Sequence, residues 1–363
     1  MKKLSLSIAF LLIQIVAAQN VTSPNNKITV NFKLDNTGKP FYWVSYNQKA
    51  IVKESSLGFL LKDLPSFDSD FELIKQENKS VDESWKPVLG EQSIIQNKYN
   101  QVTYFLHQKA SDRFLNITFK VYDEGVAFRY EFPPQKNLNY FIVSDEKTQF
   151  NLAGDHKVFW LPGDYDSQEY PYTETKISEI NLEKVDLNNG IALKSINNKY
   201  RVQSPLMMKS DDGTYINIFE AAVVNYPVMH LNTDTKNFSF MSSLVPNAIG
   251  DKAYLQAPCT TPWRTIMISN DARDIVSSKM ILNLNEPCKL DDTSWIRPMK
   301  YVGIWWEMHV GKSTWDYAGS QNAQNAASQD LIPTGKHGAT TQNTKRYIDF
   351  AAKHGFDGVL VEG

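Results

Sequence analysis

The chain has 363 residues, with 38 basic against 40 acidic, a net charge of −2 and no clustered basic stripe, so it lacks the electrostatic footprint that nucleic acid or an anionic membrane demands. That length exceeds the size at which a single hydrophobic core stops growing, and two domains are expected. Aromatics reach 12%, including 8 Trp and 17 Tyr, which suits stacking on flat ligand faces such as sugars and equally suits aromatic β-sandwich cores.

The N-terminus reads as an export signal. Lys2 and Lys3 precede the apolar run Leu4 to Val16, and Val16 and Ala18 stand in the cleavage-reading positions, so residues 1–18 are expected to be removed after Ala18. The apolar run is too short to span a bilayer, the polar QNVTSPNN follows it, and no Cys lies near the cut to take a lipid. The mature chain is therefore expected outside the inner membrane, in the periplasm of a Gram-negative host, with no membrane contact after cleavage. Cys259 and Cys288 each follow a Pro; a disulfide between them and a pair of buried free thiols both remain open.

From Lys27 to about Leu290 the pattern is strands at short intervals with turn punctuation. ITVNFKLD, NTGKP and FYWVSYN predict a hairpin, and the same alternation returns in YNQVTYFLHQ, RFLNITFKVYDEGVAFRYEF and KVFWLP. Asp123-Glu124-Gly125 reads as a turn whose Gly is free to take positive φ, with no catalytic role for its acids. SPLMMKS, TYINIFEAAVVNY and FSFMSSLVP continue the β pattern past a turn at Asp211-Asp212-Gly213. Without a convincing helix up to Ser269, residues 19–290 are expected to form one large antiparallel β-sandwich. Asp271 to Ser278 reads as a short capped helix, and KMILNLNEP as one more strand.

The composition changes at residue 291. DDTSWIRPMK is a polar connection, followed by a strand (Tyr301 to Trp306), a long polar loop to about Gly338, a helix (Thr341 to His354) and a strand (Gly358 to Glu362). Thr340 or Thr341 caps the helix and Gly355 ends it. Strand, crossover helix and strand form a βαβ unit with a parallel pair, the opening unit of an incomplete (β/α)8 TIM barrel over residues 291–363.

Four side chains stand out as site candidates. Glu362 follows only apolar or Gly positions, and a charge at the C-terminal end of a buried parallel strand either faces a pocket or needs a partner. Glu307 and His309, two apart on an expected extended strand, point to one face as acid or ligand and its orienting neighbour; the alternative is that they pair only with each other. Glu220 interrupts the apolar stretch Ile218 to Val224 and needs a cation or donors; on chemistry alone it ranks below Glu362. Asp164, Asp166, Glu169 and Glu174 read as a solvated loop, with sugar stacking by Tyr170 or Tyr172 as the sharper alternative. The sequons at Asn20, Asn78, Asn116 and Asn237 matter only in a eukaryotic host. No CxxC, HExxH, GxSxG or phosphate-cradling loop is present, which withdraws support from hydride transfer, phosphoryl transfer and serine hydrolysis.

Taken together, VAFRYEF after the DEG turn, FEAAVVNYP, TPWRTI, LNLNEPC, DTSWIRPMKYVGIWWEMH, HGATT and YIDFAAKHGFDGVLVEG closely resemble glycoside hydrolase family 97 across almost the whole mature chain. The resemblance implies an N-terminal β-supersandwich, a (β/α)8 catalytic barrel and a C-terminal β-domain. It implies a calcium-dependent exo-acting α-glucosidase or α-galactosidase acting on α-linked oligosaccharides. A monomer or weak homo-oligomer is expected. It promotes Glu220, in FEAAVVNY, to a Ca2+ ligand, with Glu307, His309 and Glu362 as substrate-pocket candidates. The general acid and base of the family are expected on barrel strands beyond residue 363, so the chain is read as truncated within its barrel. The rival expectation is a non-catalytic carbohydrate-binding sandwich or an inactive fragment.

Overall fold

The computed structural model describes residues 19–187, 195–315 and 337–361. The expected leader and Glu362 lie outside the described residues. The chain divides into two compact units between Pro287 and Cys288.

The first unit is built from antiparallel sheets. One sheet has eight strands in the order Gln19–Thr22, Ile28–Leu34, Pro40–Tyr46, Lys49–Ser56, Gln149–Leu152, Ser239–Leu244, Met229–Asp234 and Arg201–Gln203. A ten-stranded sheet runs Thr173–Lys176, Lys157–Trp160, Leu206–Lys209, Tyr215–Ala221, Trp263–Ser269, Gly125–Phe132, Arg113–Tyr122, Ile95–Gln108 and Phe71–Trp85, with Cys259–Thr260 paired to Gly125–Phe132. A small third sheet joins Ala253–Gln256, Tyr140–Glu146 and Phe59–Leu61.

Alternation explains how the two large sheets close on one core. Along Ile28–Leu34 and Pro40–Tyr46 every second side chain is buried at first, and Phe32 and Tyr42 meet Tyr104, Phe119 and Phe128 of the opposing sheet. Phe32 and Tyr104 stack with centroids 4.1 Å apart and their planes 15° from parallel. Trp263–Ser269 is instead buried at every position, because both of its faces are covered. Its Ile266 and Ile268 join the main core, while Trp263 and Met267 join a smaller cluster.

Several expectations change. KMILNLNEP is not a strand: Met280–Asn283 is a helical turn whose Met280, with Leu284, packs into that smaller cluster beside Tyr99, Tyr122 and Trp263. Gly125 does not need positive φ; its requirement is a close approach, since a Cβ there would sit 2.5 Å from the Ile266 carbonyl oxygen. Phe71–Trp85 is a strand of 15 residues whose sequence shows no apolar alternation. It forms one margin of the ten-stranded sheet, pairs with Ile95–Gln108, and carries Glu72, Lys75, Glu77, Lys79, Asp82 and Glu83 at exposed positions. The short helix Ala272–Ser277 does form, capped by Asp271, which accepts from the Arg273 amide.

In the second unit Tyr301–Gly303 and Gly358–Leu360 pair in parallel, Tyr301 against Gly358. The helix Thr341–His354 connects to the second of them; the Thr340 side chain accepts from the Asn343 amide, and Gly355 ends the helix at φ +72°. These are the cap and the left-handed stop that the sequence predicts.

Candidate functional site

Glu220 sits on Tyr215–Ala221 directly opposite Arg264 on Trp263–Ser269, a cross-strand pair whose side chains share a face. Glu220 is 5% exposed, and Arg264 and Glu146 are fully buried. Arg264 grips Glu146 with two parallel bonds, Nε to Oε1 at 2.9 Å and Nη2 to Oε2 at 2.7 Å, the bidentate geometry that a planar guanidinium favours. Its remaining Nη1 donates to Glu220 Oε2 at 2.5 Å. Glu146 is completed by Thr148 Oγ1 at 2.7 Å and the Tyr226 hydroxyl at 2.9 Å.

The local fold delivers these partners. After Ala221 the backbone takes left-handed conformations at Ala222 (φ +54°) and Asn225 (φ +52°), the former costly for a residue with a Cβ. The turn brings Tyr226 back to Glu146, and the Met229 amide donates to both oxygens of Glu220 at 3.1 and 3.2 Å.

Two carboxylates therefore share one guanidinium, and a formal negative charge is left in a buried place. Burial pushes the Glu220 carboxyl up, and the Arg264 charge offsets only part of this. Burial also acts upward on Glu146, but there the paired Arg264 and the hydroxyl donors win and the group stays below its ordinary range.

Glu220 also lines a cavity of about 230 Å3 with Gln168, Ser204, Phe219, Val228 and His230. His230 is 4% exposed, its Nδ1 has no hydrogen-bond partner among the described residues, and Tyr165 stacks on it at 5.7 Å. Burial, reinforced by Arg201, lowers the imidazole to about 4 and keeps it neutral.

The acidic loop is not simply solvated. Asp164 is buried and accepts from the Tyr170 hydroxyl at 2.5 Å and the amides of Asp166 and Ser195 at 2.8 and 3.2 Å. Tyr170 is thereby buried and unavailable for stacking, whereas Tyr172 is exposed. Cys259 and Cys288 are both free, and Cys288 is exposed rather than buried.

Glu307 and His309 lie in the second unit, and their geometry differs from expectation. The strand stops at Gly303, and Trp306–His309 is a helical turn. Residues two apart on a helix do not share a face, so the pairing argued from an extended strand is lost. Glu307 instead takes an ion pair from Arg346 and a hydrogen bond from Asn343 Nδ2 at 3.3 Å, both on Thr341–His354. Burial raises its carboxyl, and the Arg346 contact more than reverses this. His309 packs against Trp305 and Trp306, with centroids 5.0 and 5.6 Å away.

Arg264, Glu146, Tyr226 and His230 were missed as site residues. A signal existed for Arg264: a charge inside the apolar TPWRTI strand requires a partner by the same reasoning that singled out Glu220. Glu146 comes from 118 positions away from Arg264, and no local pattern announces that meeting.

Comparison with known proteins places this arrangement in a class. The Glycosyl-hydrolase 97 N-terminal family model matches residues 21–287 and the Glycoside hydrolase 97 model matches residues 305–363. The chain belongs to glycoside hydrolase family 97.

Among its relatives, the retaining alpha-galactosidase of Bacteroides thetaiotaomicron is 23% identical over 351 residues, a match covering 88% of this chain and 46% of the relative. A family 97 enzyme from Pseudoalteromonas sp. strain K8, solved with acarbose, is 35% identical with a TM-score of 0.77, over 95% of this chain and 47% of that one. A β-arabinopyranosidase with 19% identity and a TM-score of 0.71 shares the fold. The chain thus spans about half the length of the relatives it matches.

Proposed function

We propose that this chain forms the sandwich and the opening βαβ unit of an exported, periplasmic, calcium-dependent exo-α-glycosidase. The supporting observation is Glu220, a carboxylate on a cavity wall in a buried cluster where two acids face one guanidinium. The donor set suits a hard divalent cation: among the described residues Glu220 Oε1 accepts one hydrogen bond, from the Met229 amide at 3.1 Å, so it retains a lone pair, and the surplus negative charge favours a cation. Among the described residues no three His, Cys, Asp or Glu side chains gather as a metal site, so on this reading Glu220 contributes one ligand to a shell completed elsewhere.

Calcium bound there would supply charge stabilisation beside the substrate. The residues of this chain hold Glu220 in place: Arg264 from one side and the Met229 amide from the other. Family chemistry uses one carboxylic acid to protonate the departing glycosidic oxygen and a second carboxylate as nucleophile or base; neither role is assigned to a residue of this chain. Glu307 and His309 remain substrate-pocket candidates of the barrel unit, as does Glu362.

The named relatives divide on substrate: the curated Bacteroides relative is an α-galactosidase, whereas the more similar Pseudoalteromonas enzymes were solved with acarbose and panose. The higher identity favours α-glucosidic substrates. The test is hydrolysis of nitrophenyl α-glucoside and α-galactoside by the full-length protein, with and without a chelator. Turnover that the chelator abolishes and calcium restores is expected; no turnover of either, or indifference to chelation, overturns the reading.

A further inference from the structure

The three-stranded sheet presents Phe141, Val143, Ala253 and Leu255 to the core and its other face outward. Ile142 pairs with Tyr254 and Tyr140 with Gln256. Tyr140 and Tyr254 are therefore diagonal neighbours on the outward face, roughly 7–8 Å apart. Both are exposed, at 71% and 56%, and with Ile142 and Gln256 they line a shallow concavity of about 510 Å3.

A single exposed tyrosine needs no explanation, but Tyr254 is held. Its hydroxyl donates to Asp251 Oδ2 at 2.6 Å and accepts from Asn247 Nδ2 at 3.2 Å. Asp251 is itself buried and bound to Lys62 Nζ at 2.8 Å, and Asn247 Oδ1 accepts from the Asp251 amide at 3.0 Å. The turn between Asn247 and Asp251 thus fixes the orientation of a ring whose face stays open to solvent, and pre-ordering of this kind lowers the entropy cost of binding.

We propose that Tyr140 and Tyr254 form a stacking platform for the pyranose rings of a neutral α-linked polysaccharide, separate from the Glu220 cavity. Aromatic faces pack on the C–H faces of sugars, and Gln256, which also lines the concavity, offers a donor and an acceptor to hydroxyl groups. The ion pair that anchors Tyr254, Lys62 with Asp251, carries no net charge, which suits an uncharged ligand. Tyr140 opens the strand that Glu146 closes, and six steps of extended chain place about 20 Å between platform and buried triad. The choice of sugar as ligand rests on the proposed function; the platform geometry does not.

The test is affinity electrophoresis of the full-length protein through gels containing soluble starch or an α-galactosyl-substituted galactomannan. Retardation of the wild type is expected in at least one gel, and the gel that retards it identifies the sugar. Tyr140→Ala and Tyr254→Ala each weaken retardation at least fivefold, the double variant abolishes it, and Tyr254→Phe, which keeps the ring and loses its anchor, weakens it less than Tyr254→Ala; turnover of nitrophenyl glycosides stays unchanged. Wild type that runs freely in both gels, or a double variant retarded like wild type, overturns the platform. A change in sedimentation with unchanged retardation marks a self-association face and also overturns it. Retardation without turnover of either nitrophenyl glycoside leaves the platform standing and sinks the proposed function, while turnover without retardation does the reverse.

Discussion

Arg264 Nη1 donates to Glu220 Oε2 at 2.5 Å although neither side chain is more than 4% exposed. Removing one partner of a buried ion pair strands the other charge, which costs about 3–5 kcal/mol. Arg264→Met strands two carboxylates and is expected to lower unfolding free energy by at least that range in urea titration. A loss below about 1 kcal/mol would show that water reaches the cluster and that it is not sealed.

Glu220→Gln removes a charge but keeps an oxygen for the Met229 amide. Calcium at a hundredfold excess over its dissociation constant stabilises a binding-competent fold by about 2.7 kcal/mol. The full-length wild type is expected to show a calcium-dependent rise in melting temperature that the variant lacks. An equal rise in both proteins removes Glu220 from the metal shell.

His230 predicts a pH effect whose sign follows from its burial. The folded imidazole titrates at about 4 and an unfolded one near 6.5, so between these values the unfolded chain binds more protons. Stability that is fully present above about pH 6.5 is lost as the pH falls toward 4, by at most on the order of 3 kcal/mol. His156, also lowered by burial, acts in the same direction. Melting of wild type and His230→Asn at pH 7, 5.5 and 4 isolates the His230 contribution: the wild type loses its advantage across that interval. A difference that stays constant with pH contradicts the assignment.

Gly125→Ala places a methyl group 2.5 Å from the Ile266 carbonyl oxygen and 2.9 Å from Met267 Cα. Backbone cannot move aside as a flexible side chain can, so the strand pair must shift. The expected cost is about 1–3 kcal/mol, read from the chemical-denaturation midpoint.

Thr340→Ala removes the side-chain acceptor from the Asn343 amide and is expected to cost about 1 kcal/mol. Amide exchange in the first turn of Thr341–His354 should accelerate, with the strands of the first unit unaffected.

The helix Thr341–His354 was legible from its sequence because its cap and the Gly355 stop are both local signals. The hairpin of Ile28–Leu34 with Pro40–Tyr46 was legible because one face of each strand is buried and the other is not. Met280–Asn283 misled because an apolar run of that length has no period to distinguish a strand from a helical turn. Glu220 stood out as a charge among apolar neighbours, yet its meaning depends on Glu146 and Met229, which tertiary folding supplies. Glu307 went astray for a related reason: its extended-strand geometry depended on chain continuing past Gly303, where the backbone turns helical instead.

Among the described residues, the marginal strand Phe71–Trp85 has a pairing partner on one side only. Its other side, past Phe71 whose amide donates to the Gly38 carbonyl, runs for about 45 Å, a template on which another chain could add itself. Lys75, Glu77, Lys79, Asp82 and Glu83 stand along it at exposed positions, and charge on an exposed margin discourages such recruitment. The same choice erases the hydrophobic alternation by which strands are recognised. This segment is written to turn neighbours away, so the longest strand described in the sandwich is also the one least visible to a reader looking for what it buries.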